Sequence, residues 1–152
     1  MGTADNAPMR GRLFFFGATV IATAVAATGS ATASPGSQSA WASQANKVCV
    51  YWVAKAKQEF GTPVTPAQLY SFANKAKALE GQELAALEQI PGTTQAGTAA
   101  LAAVKVDIAE VGSAITAWNH GNASLFVTIL KRYLNDGRPK SAFAVAGANQ
   151  CG

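Results

Sequence analysis

From Trp41 onward, apolar residues recur at intervals of three and four, the spacing of one buried face on an α-helix. Short polar or glycine-containing turns separate successive stretches of this pattern. Four amphipathic helices joined by short turns predict an all-α fold, an up-down-up-down four-helix bundle. The apolar stripes cover residues 41–60, 69–90, 101–118 and 125–134.

Residues in the turns also predict where the helices begin and end. Thr65 followed by Gln68 has the spacing of a capping box, and Asn122 is placed to cap the fourth helix. The segment NDGRP contains Gly137 and Pro139, which are expected to kink or split that helix.

The amino terminus has the order of a secretory signal peptide. Arg10 and Arg12 precede an apolar run, and Ala31-Thr32-Ala33 is a small-residue cleavage pattern. The run is about fifteen residues, short of the roughly 20 that a helix needs to cross a bilayer. We therefore expect a signal peptide over residues 1–33, cleaved after Ala33, a polar linker over 34–40 and one helical bundle domain over 41–152. An uncleaved single-pass membrane anchor is the alternative.

The chain contains two cysteines, Cys49 and Cys151. In an exported protein they are expected to form a disulfide, the alternative being two separate buried thiols. A bond that closes a loop of about a hundred residues contributes up to about 4.7 kcal/mol in the chain-entropy model. In the predicted topology the first helix begins, and the fourth ends, at the same pole. The bond would therefore hold the carboxyl terminus on the first helix.

Composition and charge exclude several classes of function. Twelve Lys and Arg against eight Asp and Glu give a net charge of +4, and the basic residues are scattered rather than clustered. We therefore predict no nucleic-acid partner. The one histidine, His120, lies in a predicted turn, so neither a metal site nor a cofactor is expected. Signatures of serine hydrolases are missing from the region after the leader, and the sequence predicts a protein that is not an enzyme.

Glu80 and Glu83 are candidate binding residues. At helical spacing both lie on the same side of the second helix as Ala76 and Leu87, where unpaired carboxylates are costly. A Glu-x-x-Glu pair of this kind is a possible cation site. The interpretation that we favour is that Gly81 interrupts the helical phase and turns both side chains outward.

Tyr51 and Trp52 are the other candidate binding residues. Val50 and Tyr51 fall beside the main stripe of the first helix and could form an exposed aromatic patch for a partner. Because each helix of a bundle touches two neighbours, packing on the flank of another helix or cover by the carboxyl-terminal tail is the favoured interpretation.

The first helix KVCVYWVAKAK, the capped segment TPAQL and the terminal Cys-Gly resemble a loose group of small secreted helical proteins of high-GC Gram-positive bacteria. The resemblance covers residues 45–152. It implies a helical architecture and an extracytoplasmic location, and it implies no activity.

Together these features predict a secreted, non-catalytic helical module that binds a protein or a cell-envelope component. The alternative is a carrier of an apolar small ligand, such as haem or a lipid, held within the bundle. A carrier should have a cavity lined by Trp52, Phe72 or Trp118, whereas a binding module should have a filled core and an exposed patch around Tyr51. The sequence leaves the oligomeric state open, and it predicts membrane contact only through an uncleaved leader.

Overall fold

A computed structural model describes residues 39–63 and 65–152, which form helices and contain no strand. The predicted four-helix bundle is confirmed, with the fourth helix divided into two parts. Residues 1–38 lie outside the described residues, and with them the predicted signal peptide and its cleavage site. The helices are α1 (Ala40–Glu59), α2 (Pro66–Glu88), α3 (Gln95–Asn119), α4 (Ala123–Asn135) and α5 (Arg138–Val145).

Side-chain caps begin the helices where the sequence predicts them. The Thr65 hydroxyl accepts a hydrogen bond from the Gln68 amide at 3.2 Å, and the Gln68 side chain accepts one from the Thr65 amide at 3.0 Å. This reciprocal pair is the predicted capping box. The Asn122 side chain accepts from the Leu125 amide at 3.0 Å and caps α4. Because Ser39 caps α1, that helix already includes Ala40, the last residue of the predicted linker.

The predicted break in the fourth helix is confirmed between Asn135 and Arg138. The Asp136 carboxylate accepts a hydrogen bond at 2.9 Å from the amide of Arg138, the first residue of α5, and the N-cap residue of that helix is Gly137. Pro139 lies in that first turn, where its missing amide hydrogen costs no helical hydrogen bond.

Helix α3 is the centre of the bundle and contacts α2, α4 and α5. Helix α1 packs on α2, but α1 and α4 scarcely touch, although they would be neighbours in a fully closed bundle. The core accordingly has two parts. The first joins α1, the carboxyl half of α2, the amino half of α3, and α5; the second joins the amino half of α2, the carboxyl half of α3, and α4. The seam between α1 and α4 is left partly open.

The predicted disulfide is confirmed and joins Cys49 in α1 to Cys151 in the tail, with a Cα–Cα distance of 5.1 Å. Both cysteines are buried. The tail is also held where the Gln150 amide donates a hydrogen bond to the Asn46 side chain at 2.8 Å. A buried disulfide fits an extracytoplasmic location, since thiols are kept reduced in the cytosol. None of the described helices has both the length and the apolarity needed to cross a membrane.

Candidate functional site

The open seam contains a pocket of about 170 Å³, which we call the α1–α4 pocket. Its walls come from the carboxyl half of α1, the middle of α2, the end of α4 and the tail. Apolar and aromatic side chains form most of the lining, and two carboxylates interrupt it. The lining residues are Trp52, Val53, Ala56, Phe60, Phe72, Ala76, Leu79, Glu80, Glu83, Tyr133, Leu134 and Gly152.

Glu80 and Glu83 both line this pocket and are half-buried. The interpretation that Gly81 turns them outward is wrong, because α2 continues through Gly81 without a break. A glycine inside a helix costs only about 1 kcal/mol relative to alanine. Burial of Leu79 and Leu84 on either side of it is enough to outweigh that cost.

The two carboxyl groups have different surroundings. The Tyr133 hydroxyl donates a hydrogen bond to Oε1 of Glu80 and so links α2 to α4 across the pocket. Burial and, to a smaller extent, the neighbouring charge of Glu80 together raise the pKa of Glu83 from its ordinary value of 4.5 to about 7. None of the described residues that line the pocket is a Lys, Arg or His.

Trp52 and Tyr51 lie at the edge of the pocket. Trp52 is half-buried and lines it, and the Tyr51 ring contacts the Trp52 ring edge-on with centroids 5.1 Å apart. Tyr51 is 60% exposed and Val50 is 52% exposed, so the expectation that a neighbouring helix or the carboxyl-terminal tail covers them is wrong. Lys55 lies outside the pocket with its Nζ 4.6 Å from the centre of the Trp52 ring. The four candidate binding residues therefore meet at one place.

Other aromatic residues lie in the pocket wall or in the second part of the core, whereas Trp41 and Phe143 lie in the first part. Phe60 and Phe72 are in the pocket wall, with ring centroids 4.9 Å apart. Trp118 is elsewhere, stacked on Tyr70 at 5.4 Å. Of the residues expected around a ligand cavity, Trp52 and Phe72 line one and Trp118 does not.

Sequence reasoning did not find Tyr133 as part of this site. Tyr133 belongs to the apolar stripe of the fourth helix, and nothing in that stripe distinguishes a core tyrosine from one whose hydroxyl meets a carboxylate. A buried tyrosine needs a partner for its hydroxyl. From the sequence, this requirement predicts that the Tyr133 hydroxyl has a hydrogen-bond partner, but it does not identify that partner as Glu80.

A second group of charged residues joins α3 to the junction of α4 and α5. Asp107 and Glu110 are buried on α3, and their carboxylate oxygens approach that of Asp136, all within 4.8 Å of one another. Arg132 and Arg138 contact Glu110, the latter at 3.5 Å. These guanidinium groups supply the counter-charge, and we assign the cluster a structural role in holding the fourth helical segment on α3.

Within this cluster, the pKa of Asp136 is clearly shifted. The hydrogen bond from the Arg138 side chain, together with the Arg138 amide and charge, lowers the pKa of Asp136 from its ordinary value of 3.8 to about 2. The sequence signal that could have revealed the cluster is the spacing of Asp107 and Glu110, three residues apart beside the apolar stripe of α3.

Replacing Glu83 with Gln is expected to stabilise the protein at neutral and alkaline pH. The pKa of Glu83 is higher in the folded protein than in the unfolded chain, so the folded state binds more protons between pH 4.5 and about 7. Stability is therefore lost as the pH rises through that range. We expect Glu83→Gln to match the wild type near pH 4.5 and to exceed it by about 2 to 3 kcal/mol above pH 8.

Urea denaturation at several pH values measures this difference. Glu88→Gln is the matched control, because Glu88 is on the same helix but is exposed and paired with Lys105 at 2.7 Å. The control is expected to change the free energy of unfolding by less than about 1 kcal/mol. A Glu83→Gln variant whose stability parallels the wild type at every pH would show that Glu83 is not desolvated.

No family model matches this chain, and neither a curated protein nor a solved structure shows significant similarity to it.

Proposed function

We propose that this protein is an extracytoplasmic, non-catalytic binding module that holds a small ligand, or a small group of a larger partner, in the α1–α4 pocket. The observation that carries the proposal is the pocket itself, a partly open space with aromatic walls and two carboxylates. Aromatic walls with a few convergent polar groups are typical of ligand sites.

The size of the pocket limits its occupant. Drug-sized ligands occupy sites of about 300–1,000 Å³, whereas an apolar cavity of about 150 Å³ accepts benzene. At about 170 Å³, the α1–α4 pocket suits an occupant of the latter size. Haem and a lipid chain are larger than this, and the propionates of haem would meet Glu80 and Glu83 with like charge. We therefore prefer a small occupant to the haem or lipid carrier considered from the sequence.

The chemistry of the lining supports a binding role. The lining contributed by the described residues is mostly apolar and aromatic, with few polar side chains. Its polar side chains are Glu80, Glu83 and Tyr133, which can orient a ligand through charge and hydrogen bonds.

A cell-envelope partner remains compatible with the same pocket. Val50 and Tyr51 are exposed large apolar side chains on the helix that carries Trp52. An envelope component that inserts a small group beside Trp52 would cover both. In that arrangement Tyr51→Ala is expected to weaken binding of the envelope component and to leave binding of the isolated small group unchanged.

We further propose that the protein is secreted after cleavage behind Ala33, the alternative being a retained amino-terminal anchor. The signal-like order of residues 1–33 supports this proposal, and the disulfide fits it. Mass spectrometry of the protein exported by its own host measures the new amino terminus. Recovery of the intact chain in the membrane fraction would favour the anchor.

A cavity-filling variant tests the proposed site. Ala56 lines the pocket and Ala54 is exposed on the same helix, so Ala56→Leu and Ala54→Leu add the same side chain inside and outside it. We expect compounds of benzene-like size to bind the oxidised wild type in ligand-observed NMR. Ala56→Leu should weaken this binding at least about tenfold, the factor that corresponds to about 1.4 kcal/mol.

Ala54→Leu is expected to bind like the wild type. Thermal unfolding of both variants verifies that they fold. If compounds of this size do not bind, or bind equally well to Ala56→Leu, the pocket is not a ligand site.

A further inference from the structure

We infer that the α1–α4 pocket takes a neutral ligand with a single ring and one hydrogen-bond donor, of which phenol is the simplest example, and that Glu83 accepts its hydrogen bond. This inference rests on the proposed function, since it names the class of ligand for the same pocket.

The first argument concerns the part of the ligand that fills the pocket. At about 170 Å³ the space is close in size to a cavity of about 150 Å³ that accepts benzene, so it has room for one ring of that size. Trp52, Phe60 and Phe72 contribute aromatic rings to the walls. Aromatic rings pack edge-to-face or offset against one another, and this packing adds to the gain from burying their surface. A flat ring therefore suits these walls better than a flexible chain does.

The second argument concerns the hydrogen bond. Glu83 lines the pocket and is half-buried, and none of the described residues donates a hydrogen bond to it or forms an ion pair with it. The neighbouring Glu80 already accepts a hydrogen bond from the Tyr133 hydroxyl. A carboxyl group can accept a hydrogen bond whether it is ionised or protonated. Glu83 is therefore the acceptor that a ligand in this pocket would engage.

The surroundings of Glu83 strengthen such a bond. Its pKa is raised to about 7, mainly because burial shields the carboxyl group from water. A hydrogen bond in a shielded place is electrostatically stronger than the same bond in bulk water. A ligand hydroxyl that replaces the remaining water at Glu83 would therefore gain affinity from it.

The third argument is that the ligand is neutral. The carboxyl groups of Glu80 and Glu83 would repel an anion, and none of the described lining residues is a Lys, Arg or His that could attract one. A cation would lose much of its hydration in a space whose walls are mostly carbon, which is costly. A hydroxyl group needs only one acceptor and brings no charge that must be desolvated.

The experiment is a ligand-observed NMR titration of the oxidised full chain with phenol and with toluene, in which a methyl group replaces the hydroxyl. At pH 8 Glu83 is mostly ionised, whereas phenol, like the tyrosine side chain with its pKa of about 10, is mostly neutral. We expect phenol to bind at least about tenfold more tightly than toluene, as one hydrogen bond to a charged acceptor provides.

Two variants locate the acceptor. Glu83→Met removes the carboxyl group and keeps a side chain of similar length, so phenol should bind to it about tenfold more weakly than to the wild type. Toluene should bind this variant at least as tightly as the wild type. Glu88→Met is the matched control, because Glu88 is exposed on the same helix, and it should leave the binding of both probes unchanged. Thermal unfolding verifies that both variants fold, and the comparison of the two probes on the wild type needs neither variant.

The outcomes separate this inference from the function on which it rests. If toluene binds as tightly as phenol and Ala56→Leu weakens both, the pocket is a ligand site but its ligand needs no hydrogen-bond donor, and the inference is wrong. The inference is also wrong if benzylammonium or benzoate binds more tightly than phenol, or if Glu83→Met binds phenol as the wild type does. If neither phenol nor toluene binds the wild type, the proposed function fails together with the inference.

Discussion

Loss of the disulfide between Cys49 and Cys151 is expected to lower the free energy of unfolding by about 3 to 5 kcal/mol. The bond spans a sequence separation of 102 residues, and a closed loop of that length removes much of the conformational freedom of the unfolded chain. Both cysteines are buried, so a Cys49→Ala, Cys151→Ala double variant keeps the site apolar. Urea denaturation of the variant and of the reduced wild type measures the loss.

Asn46→Ala is the control for the tail. It removes the hydrogen bond from the Gln150 amide but leaves the disulfide, and it is expected to cost about 1 kcal/mol. If the double variant loses less than Asn46→Ala, the cross-link is not what holds the tail on α1. Because Gly152 lines the α1–α4 pocket, we also expect reduction to weaken ligand binding there.

Replacement of Trp41 by Ala is expected to destabilise the protein by about 3 to 5 kcal/mol, the range for truncating a large buried aromatic residue. Trp41 is 1% exposed and lies at the start of α1 in the first part of the core. Its ring packs against Gly97 on α3 so closely that a Cβ built at Gly97 would lie 3.0 Å from it. Truncation would therefore leave a cavity between α1 and α3.

The control for this substitution is Tyr51→Ala on the same helix. Tyr51 is 60% exposed, and its truncation is expected to change the free energy of unfolding by less than about 0.5 kcal/mol. Thermal or urea unfolding measures both variants under oxidising conditions. Equal effects of the two substitutions would contradict the assignment of Trp41 to the core.

The helices and their ends could be predicted because their causes are local. The capping box of Thr65 and Gln68 involves two residues three positions apart, and the break at Gly137 and Pro139 follows from the backbone preferences of those residues. The disulfide was predictable for a different reason. A chain with two cysteines has one possible intramolecular pairing, and the tail reaches Cys49 midway along α1 rather than at the start of that helix.

The orientation of Glu80 and Glu83 could not be settled in this way. Helical periodicity placed both on the apolar side of the second helix, and Gly81 gave a local reason to doubt it. The outcome depended on how much of α2 is buried against other helices, which is a sum over contacts distant in sequence. Packing outweighed the cost of one glycine, and α2 stayed continuous.

By itself, then, the sequence determined the helical class, the caps, the broken fourth helix and the cysteine pair, because each depends on neighbouring residues or on a single choice of partner. Only the tertiary structure decided that α1 and α4 stand apart and that Trp52, Glu83 and Tyr133 surround one space. The width of that seam depends on the side chains with which α1 packs on α2 and α4 packs on α3. Such distances between helices are set by packing across the whole bundle. The periodic pattern of apolar residues in the sequence does not reveal them.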